Sequence, residues 1–272
     1  MSGSGIASAR TAVLRTFGDT LWVNPHVHHR DRPKRRLMNA PLKYETLERL
    51  AVPNPVERVG FIAGLCRGRR VLDIGCLDET ALLKRDTSHW LHRRIADVAR
   101  EVVGIDSSDS LPDEGLVTGP SSRILKGNGI DPDPGQFDGH TIEMIVAGEF
   151  IEHLDSPLAF LRNMRRAFPG RELIVSTPNG ASFANALLAT IGREAQHPDH
   201  LLTSTFKTLN TLCLRTGCEA WQIIPYRFYA TEMLLQSSGL KRVAVTIVER
   251  LIRVVERLFP LRSFGYVVRI TL

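Results

Sequence analysis

Residues 148–154 read GEFIEHL, placing two carboxylates and an imidazole within five positions, directly after the apolar run at 142–147. If a helix begins near Gly148, then Glu149, Glu152 and His153 fall at i, i+3 and i+4 and share one face. Two carboxylates and an imidazole held together repel or desolvate one another unless a cation lies between them. Oxygen and nitrogen donors of this kind suit Mg²⁺ or Mn²⁺, and the imidazole widens the choice to Zn²⁺ or Fe²⁺. The simpler reading is a first helical turn whose acids favour the helix dipole. Spacing alone leaves that simpler reading ahead.

The elements around this stretch alternate. Apolar runs at 69–75 (RRVLDIG), 101–106 (EVVGID), 122–127 (SRILKG), 141–148 (TIEMIVAG) and 171–177 (RELIVST) read as buried strands. Helical patterns separate several of them, at 90–100 and at 156–168. Repeated strand-helix-strand predicts a parallel sheet with helices on both faces. A further helix at 204–217 ends at Gly217, a good stop signal, and strands follow at 219–227 and 264–272, for seven in all. The segment 240–259 is amphipathic at helical spacing and is expected to pack on the domain or at a dimer contact, not on a membrane surface. Residues 1–60 carry no strong strand signal and are expected to form helices and an arm. The division is thus an N-terminal arm and cap over 1–60 and an α/β domain over 61–272, with a helical insertion at 230–262.

In such a sheet, ligands sit beyond the carboxyl ends of the strands. Gly75 ends the first strand, where a missing side chain lets backbone approach a ligand. Asp106 ends the second, where a carboxylate can accept both hydrogen bonds of a ribose diol. Asn128 follows the third and could pair with an adenine edge.

Taken together, VLDIGC, VVGIDSS, AGEFIEHLDSP, the helix with FPG, and LIVSTPN resemble the successive motifs of class I S-adenosylmethionine-dependent methyltransferases, over roughly residues 69–227. The resemblance implies a Rossmann-like seven-stranded sheet whose last two strands form an antiparallel hairpin, with helical cap elements at the N-terminus and late in the chain. It places Asp73 and Gly75 at the methionine part of the cofactor, Asp106 at the ribose and Asn128 at the adenine. The loop departs from the glycine-rich family pattern. It reads Gly75-Cys76-Leu77-Asp78-Glu79, which is similar to a bacterial branch associated with glycan biosynthesis.

The ExxEH arrangement is similar to the metal motif of ubiquinone-pathway O-methyltransferases and of small-RNA 3′-terminal 2′-O-methyltransferases. In the latter family a later histidine completes the site, which implies Glu149, Glu152, His153 and His200 as ligands of Mg²⁺ or Mn²⁺, His200 being preferred over His197 in HPDH (197–200). His197 and His89 are the candidate general bases. The expected reaction is methyl transfer from S-adenosylmethionine to a hydroxyl of a small molecule, a sugar or glycoside first. The alternatives are an RNA 3′ terminus, a phenolic or quinone-precursor acceptor, and a non-catalytic binding protein that keeps the fold.

Composition sets the outer bounds. Hydrophobic residues make up 43% and charged residues 24%, as in ordinary globular proteins. No apolar run approaches the roughly 18 residues of a membrane span, and no signal-peptide core is evident, so a cytoplasmic setting is expected. Cys66, Cys76, Cys213 and Cys218 lack metal or disulfide spacing and read as reduced packing residues. The net charge of +6 and pI near 9.4 are mild. Much of the excess lies in the basic segment at 28–36 and in C-terminal arginines, and His26, His28 and His29 read as part of a solvated arm. That balance favours a small-molecule partner over nucleic acid, with a homodimer through the late helix as the remaining expectation.

Overall fold

The computed structural model describes residues 15–17, 20–22, 50–77, 89–137 and 141–272, apart from the side chains of 15–17, 20–22 and Glu232. The basic segment at 28–36, the histidines at 26, 28 and 29, and Asp78 and Glu79 of the cofactor loop lie outside the described residues.

Ten strands and seven α-helices follow in chain order among the described residues. They are β1 (Arg15–Phe17), β2 (Thr20–Trp22), α1 (Arg58–Leu65), β3 (Arg70–Ile74), α2 (Leu91–Ala96), β4 (Glu101–Asp106), β5 (Leu116–Gly119), β6 (Ser122–Lys126), β7 (Met144–Gly148), α3 (Pro157–Ala167), β8 (Glu172–Pro178), α4 (Phe183–Ala189), α5 (Phe206–Thr216), β9 (Ala220–Tyr226), α6 (Thr231–Leu235), α7 (Gly239–Leu258) and β10 (Gly265–Thr271). The strands β1 and β2 pair as a separate antiparallel hairpin. Where helices and an arm are expected, RTF and TLW thus form strands: both carry β-branched and aromatic residues, and the intervening Gly18-Asp19 dipeptide is a hairpin signal.

The main sheet has eight strands in the order β5-β6-β4-β3-β7-β8-β10-β9. Its five central strands are parallel. As expected, the last two form an antiparallel hairpin, with Val268 opposite Ile223. The eighth strand, β5, is an antiparallel addition at the edge beside β6. It is only four residues long and half exposed, so it lacks the apolar run by which the buried strands are legible.

Alternation along the parallel strands builds two cores. On one face Leu72, Ile74, Val103, Ile105, Ile145 and Ala147 meet Phe160, Leu161 and Met164 of α3 and Leu209 of α5. On the other, Val71, Val102, Met144, Val146 and Ile174 meet Ile62 of α1, Ile95 of α2 and Tyr226. Burial on both faces explains why these strands read as continuous apolar runs. Ser156 caps α3 by accepting from the Ala159 N–H, and Gly217 closes α5 in the left-handed region at φ 76°. All four cysteines are buried and outside any disulfide.

The order reverses at β3 and β7: the chain runs outward through β4 and β6 on one side and through β8 on the other. The crevice beyond these carboxyl ends is where such sheets take ligands. Between β9 and β10 stand α6 and α7. Helix α7 turns its two glutamates inward and much of its apolar stripe outward, with Leu240 89% and Leu251 62% exposed.

Candidate functional site

At the end of β7 the chain does not enter an α-helix. A side chain on Gly148 would strike Leu91. The next residue, Glu149, takes φ 54°, the one described non-glycine residue with positive φ. A residue that is not Gly, Asn or Asp occupies this region at a cost of roughly 1–2 kcal/mol, and it does so where surrounding contacts fix it. Here the Glu149 N–H donates to the Ser176 carbonyl at 2.8 Å, extending the β7–β8 ladder by one residue. A single 3₁₀ turn, Ile151–His153, follows, and α3 begins only at Pro157. The three motif residues therefore do not share one helical face: Glu149 is turned away by its backbone, and Glu152 is driven inward beside Ile151.

Glu149 is gripped from distant parts of the chain. Arg58 stands 3.2 Å from one carboxylate oxygen, and the Tyr226 and Tyr229 hydroxyls donate to the other at 3.0 and 2.9 Å. Arg58 also donates to Ser176 Oγ at 3.3 Å and lies over both tyrosine rings. Burial opposes the charge of this guanidinium, yet Glu149 and the tyrosines outweigh it and hold its pKa above the ordinary value. Burial, then Glu149, push the Tyr229 hydroxyl up as well, so it remains a hydrogen-bond donor.

Glu152 is 1% exposed, and neither of its carboxyl oxygens meets a donor at full hydrogen-bond geometry, the nearby Thr177 hydroxyl offsetting only part of the burial. Burial, then the neighbouring charge of Glu149, push its pKa up to about 8. A buried carboxylate short of donors is costly unless it is protonated or bound to a cation. Its backbone carbonyl accepts from the Leu201 and Leu202 N–H groups at 2.9 and 3.2 Å, which pins the segment carrying HPDH against the 3₁₀ turn. His153 and His200 are brought to 4.6 Å between ring centroids. His197 joins them, and one ring nitrogen from each of the three lies within 4.8 Å of the others. His200 Nδ1 is buried without a partner, and desolvation, then the other two imidazoles, hold its pKa below the ordinary value, in the neutral ligating form. Of the four expected ligands, then, His153 and His200 meet, Glu152 is buried and short of donors, and Glu149 is held by Arg58. Neither carboxylate belongs to the tight histidine set. His197, expected as a base, stands among the ligand candidates, with Asp199 3.8 Å from its Nδ1. His89 is exposed at the entry to α2 and lies outside this group.

The expected cofactor residues divide. Gly75 has φ +65°, and a side chain there would run into the Phe150 ring; the close approach is made by Phe150, which sequence reasoning missed. Asp106 is buried at the end of β4, accepting from Leu77 N–H at 2.8 Å on one oxygen and Ser108 N–H at 2.9 Å on the other. Desolvation pushes its pKa up, while these N–H groups oppose that. Each oxygen keeps an acceptor lone pair for a ribose diol. Asn128 is exposed after β6, its side-chain carbonyl capping the Ile130 N–H at 2.9 Å. Asp73 points elsewhere: it is buried and 2.9 Å from His92 Nδ1. His92 Nε2 in turn lies 2.9 Å from the Thr118 hydroxyl. Gly104 makes room for this cluster, since a Cβ there would come within 2.7 Å of Cys76 Sγ and 3.1 Å of His92. The signal that could have found it is a histidine at the fifth position of SHWLHRR, in phase with the buried side of α2.

The expected class I sheet is therefore present, with its acidic residue at the end of β4. A family model described as a methyltransferase domain matches residues 35–223. Among solved structures, the small RNA methyltransferase HEN1 is 16% identical, with a TM-score of 0.51 over 83% of this chain and 27% of that one. A SAM-dependent methyltransferase from Archaeoglobus fulgidus is 17% identical, at 0.46 over 79% of this chain and 91% of that one. The YcgJ protein from Bacillus subtilis is 15% identical, at 0.47 over 78% and 97%. Among curated proteins no sequence matches this chain significantly. With the matched segment spanning well over half its length, the chain belongs to the methyltransferase-domain family and carries the class I fold of S-adenosylmethionine-dependent enzymes.

Proposed function

We propose that the chain moves a methyl group from S-adenosylmethionine to a hydroxyl of a small molecule, a sugar or glycoside in first place, with a divalent ion, Mg²⁺ or Mn²⁺, at Glu149, Glu152, His153 and His200. The observation that carries this reading is Glu152: a carboxylate buried with both oxygens short of a hydrogen bond, close enough to Glu149 to feel its charge. A divalent cation is the ligand that such a donor set fits.

S-adenosylmethionine, when bound, supplies an electrophilic methyl on a positive sulfur. A divalent ion, when bound, acts as a Lewis acid toward the acceptor hydroxyl. The chain's own residues hold and orient. Asp106 takes the ribose hydroxyls and Asn128 offers its amide to the adenine edge. The crevice beyond β3 and β7 would hold donor and acceptor together, and such proximity supplies a large share of catalysis in transfers of this kind. His153 and His200 would offer ring nitrogens to the ion, with desolvation holding the His200 pKa below its ordinary value. His197 is the candidate to accept the hydroxyl proton.

The second acceptor class is the 3′-terminal ribose of RNA, on the ExxEH…H pattern alone. A methyl-transfer screen against sugars, phenols and short RNA, with Mg²⁺ and after thorough chelation, read by product mass, tests both. Transfer to a hydroxyl acceptor that disappears on chelation is the expected result. Equal transfer after chelation removes the ion, transfer to RNA in preference to sugars replaces the acceptor, and absence of S-adenosylhomocysteine binding removes the enzyme.

A further inference from the structure

Helix α7 is built inside out for a helix packed on a domain. Its only two acids face inward: Glu249 accepts from the Ala230 N–H at 3.0 Å and from Arg253 at 2.8 Å, and Glu256 accepts from the Phe228 N–H at 2.8 Å. These bonds tie the helix to the chain just beyond β9. They also fix its rotation, so that Leu240, Val243, Ile247, Leu251, Val254 and Leu258 face outward, each 53% exposed or more. The stripe runs the length of a twenty-residue helix, about 30 Å.

What borders the stripe decides what covers it. At 100° per residue, Arg250 and Arg257 flank the stripe on one side, while Lys241 and Arg242 stand at the helix start outside it; all four are exposed. Among the described residues none of the four forms an ion pair. The outward half of α7 therefore carries apolar and cationic side chains and no acid. A second copy of the chain would bring these like charges together, without the acid-base complement that flanks helical pairs. An anionic surface with an apolar interior complements both features, the basic stems reaching up to the headgroups while the stripe enters the acyl boundary. Beside the same flank, Arg227, Arg253 and Arg257 line a cavity of about 310 Å³ with Asn54, Pro55 and Val254, a pocket suited to a phosphate headgroup.

The geometry points to α7 as a membrane-surface helix that seats the chain on an anionic bilayer, in the plane of the interface and without crossing it. This is independent of the metal and of the acceptor. It is tested with the full chain and vesicles of phosphatidylcholine alone or mixed with phosphatidylglycerol, by co-sedimentation at low and high salt. Sedimentation velocity without lipid runs in parallel. Wild type is expected to pellet with the mixed vesicles, weakly at high salt, and to remain in solution with phosphatidylcholine alone. Leu251→Asp abolishes pelleting with an unchanged melting temperature, since the side chain packs on little. The double variant Arg250→Gln/Arg257→Gln lowers partitioning about 30-fold, at roughly fivefold per basic residue. Failure of wild type to bind mixed vesicles at low salt would overturn the inference, as would wild-type binding by Leu251→Asp. A lipid-free dimer that Leu251→Asp dissociates would overturn it in favour of a second copy.

Discussion

The guanidinium of Arg58 stands 3.2 Å from the carboxylate of Glu149, joining the start of α1 to the residue that follows β7 and fixing a backbone conformation that glutamate does not choose by itself. Arg58→Met leaves that charge without its cation in a largely enclosed site. Glu149 is about a quarter exposed, which moderates the cost of breaking a buried pair to about 2–4 kcal/mol. Tyr229→Phe removes one donor to the same oxygen and costs about 1–2 kcal/mol. Urea unfolding at constant m-value measures both.

The stability of the chelated protein is expected to fall as pH rises. Glu152, raised from 4.5 to about 8, and Glu256, raised from 4.5 to about 7, each hold a proton in the folded chain over a range where the unfolded chain has released it. Their contribution is complete below about pH 4.5 and is lost as pH rises through those folded values. Melting temperatures from about pH 5 to about pH 9 check the slope. Glu152→Gln flattens the decline up to about pH 8, and Glu256→Gln flattens its lower part.

Asp73 and Asp106 are both acids at the sheet's rim in sequence, and they part company in structure. Asp106→Ala is expected to weaken S-adenosylhomocysteine binding at least about tenfold, as the loss of a hydrogen-bond pair to a charged group requires. Asp73→Asn instead lowers stability by about 1–3 kcal/mol through His92, with a smaller effect on that affinity. Calorimetry beside thermal melting separates the two.

Gly75→Ala meets two obstacles, the positive φ and the Phe150 ring. A loss of about 2–4 kcal/mol is expected. Pairing it with Phe150→Ala recovers the steric part and leaves the backbone part, a coupling that a double-mutant cycle reads directly.

Much of the sheet was legible because its parallel strands are buried on both faces and therefore stand out as apolar runs. The edge strand Leu116–Gly119 was not: it is short, exposed and paired on one side. The places of Asp106 and Asn128 after strands were legible, whereas the cage around Glu149 was not, because Arg58, Tyr226 and Tyr229 come from positions that only the fold brings together. Nor does spacing reveal that Glu149 leaves helical geometry, since its positive φ depends on Ser176 and Arg58. The amphipathic pattern of α7 was plain in sequence, but its rotation was not, for it depends on two glutamates finding backbone N–H groups beyond β9.

The most direct test is calorimetric titration of Mn²⁺ into the metal-free chain. One ion per chain is expected for the wild type, with binding lost in Glu152→Gln and in His200→Ala while both variants keep their fold. No binding by the wild type, or equal binding by Glu152→Gln, would contradict a divalent ion held at the end of β7.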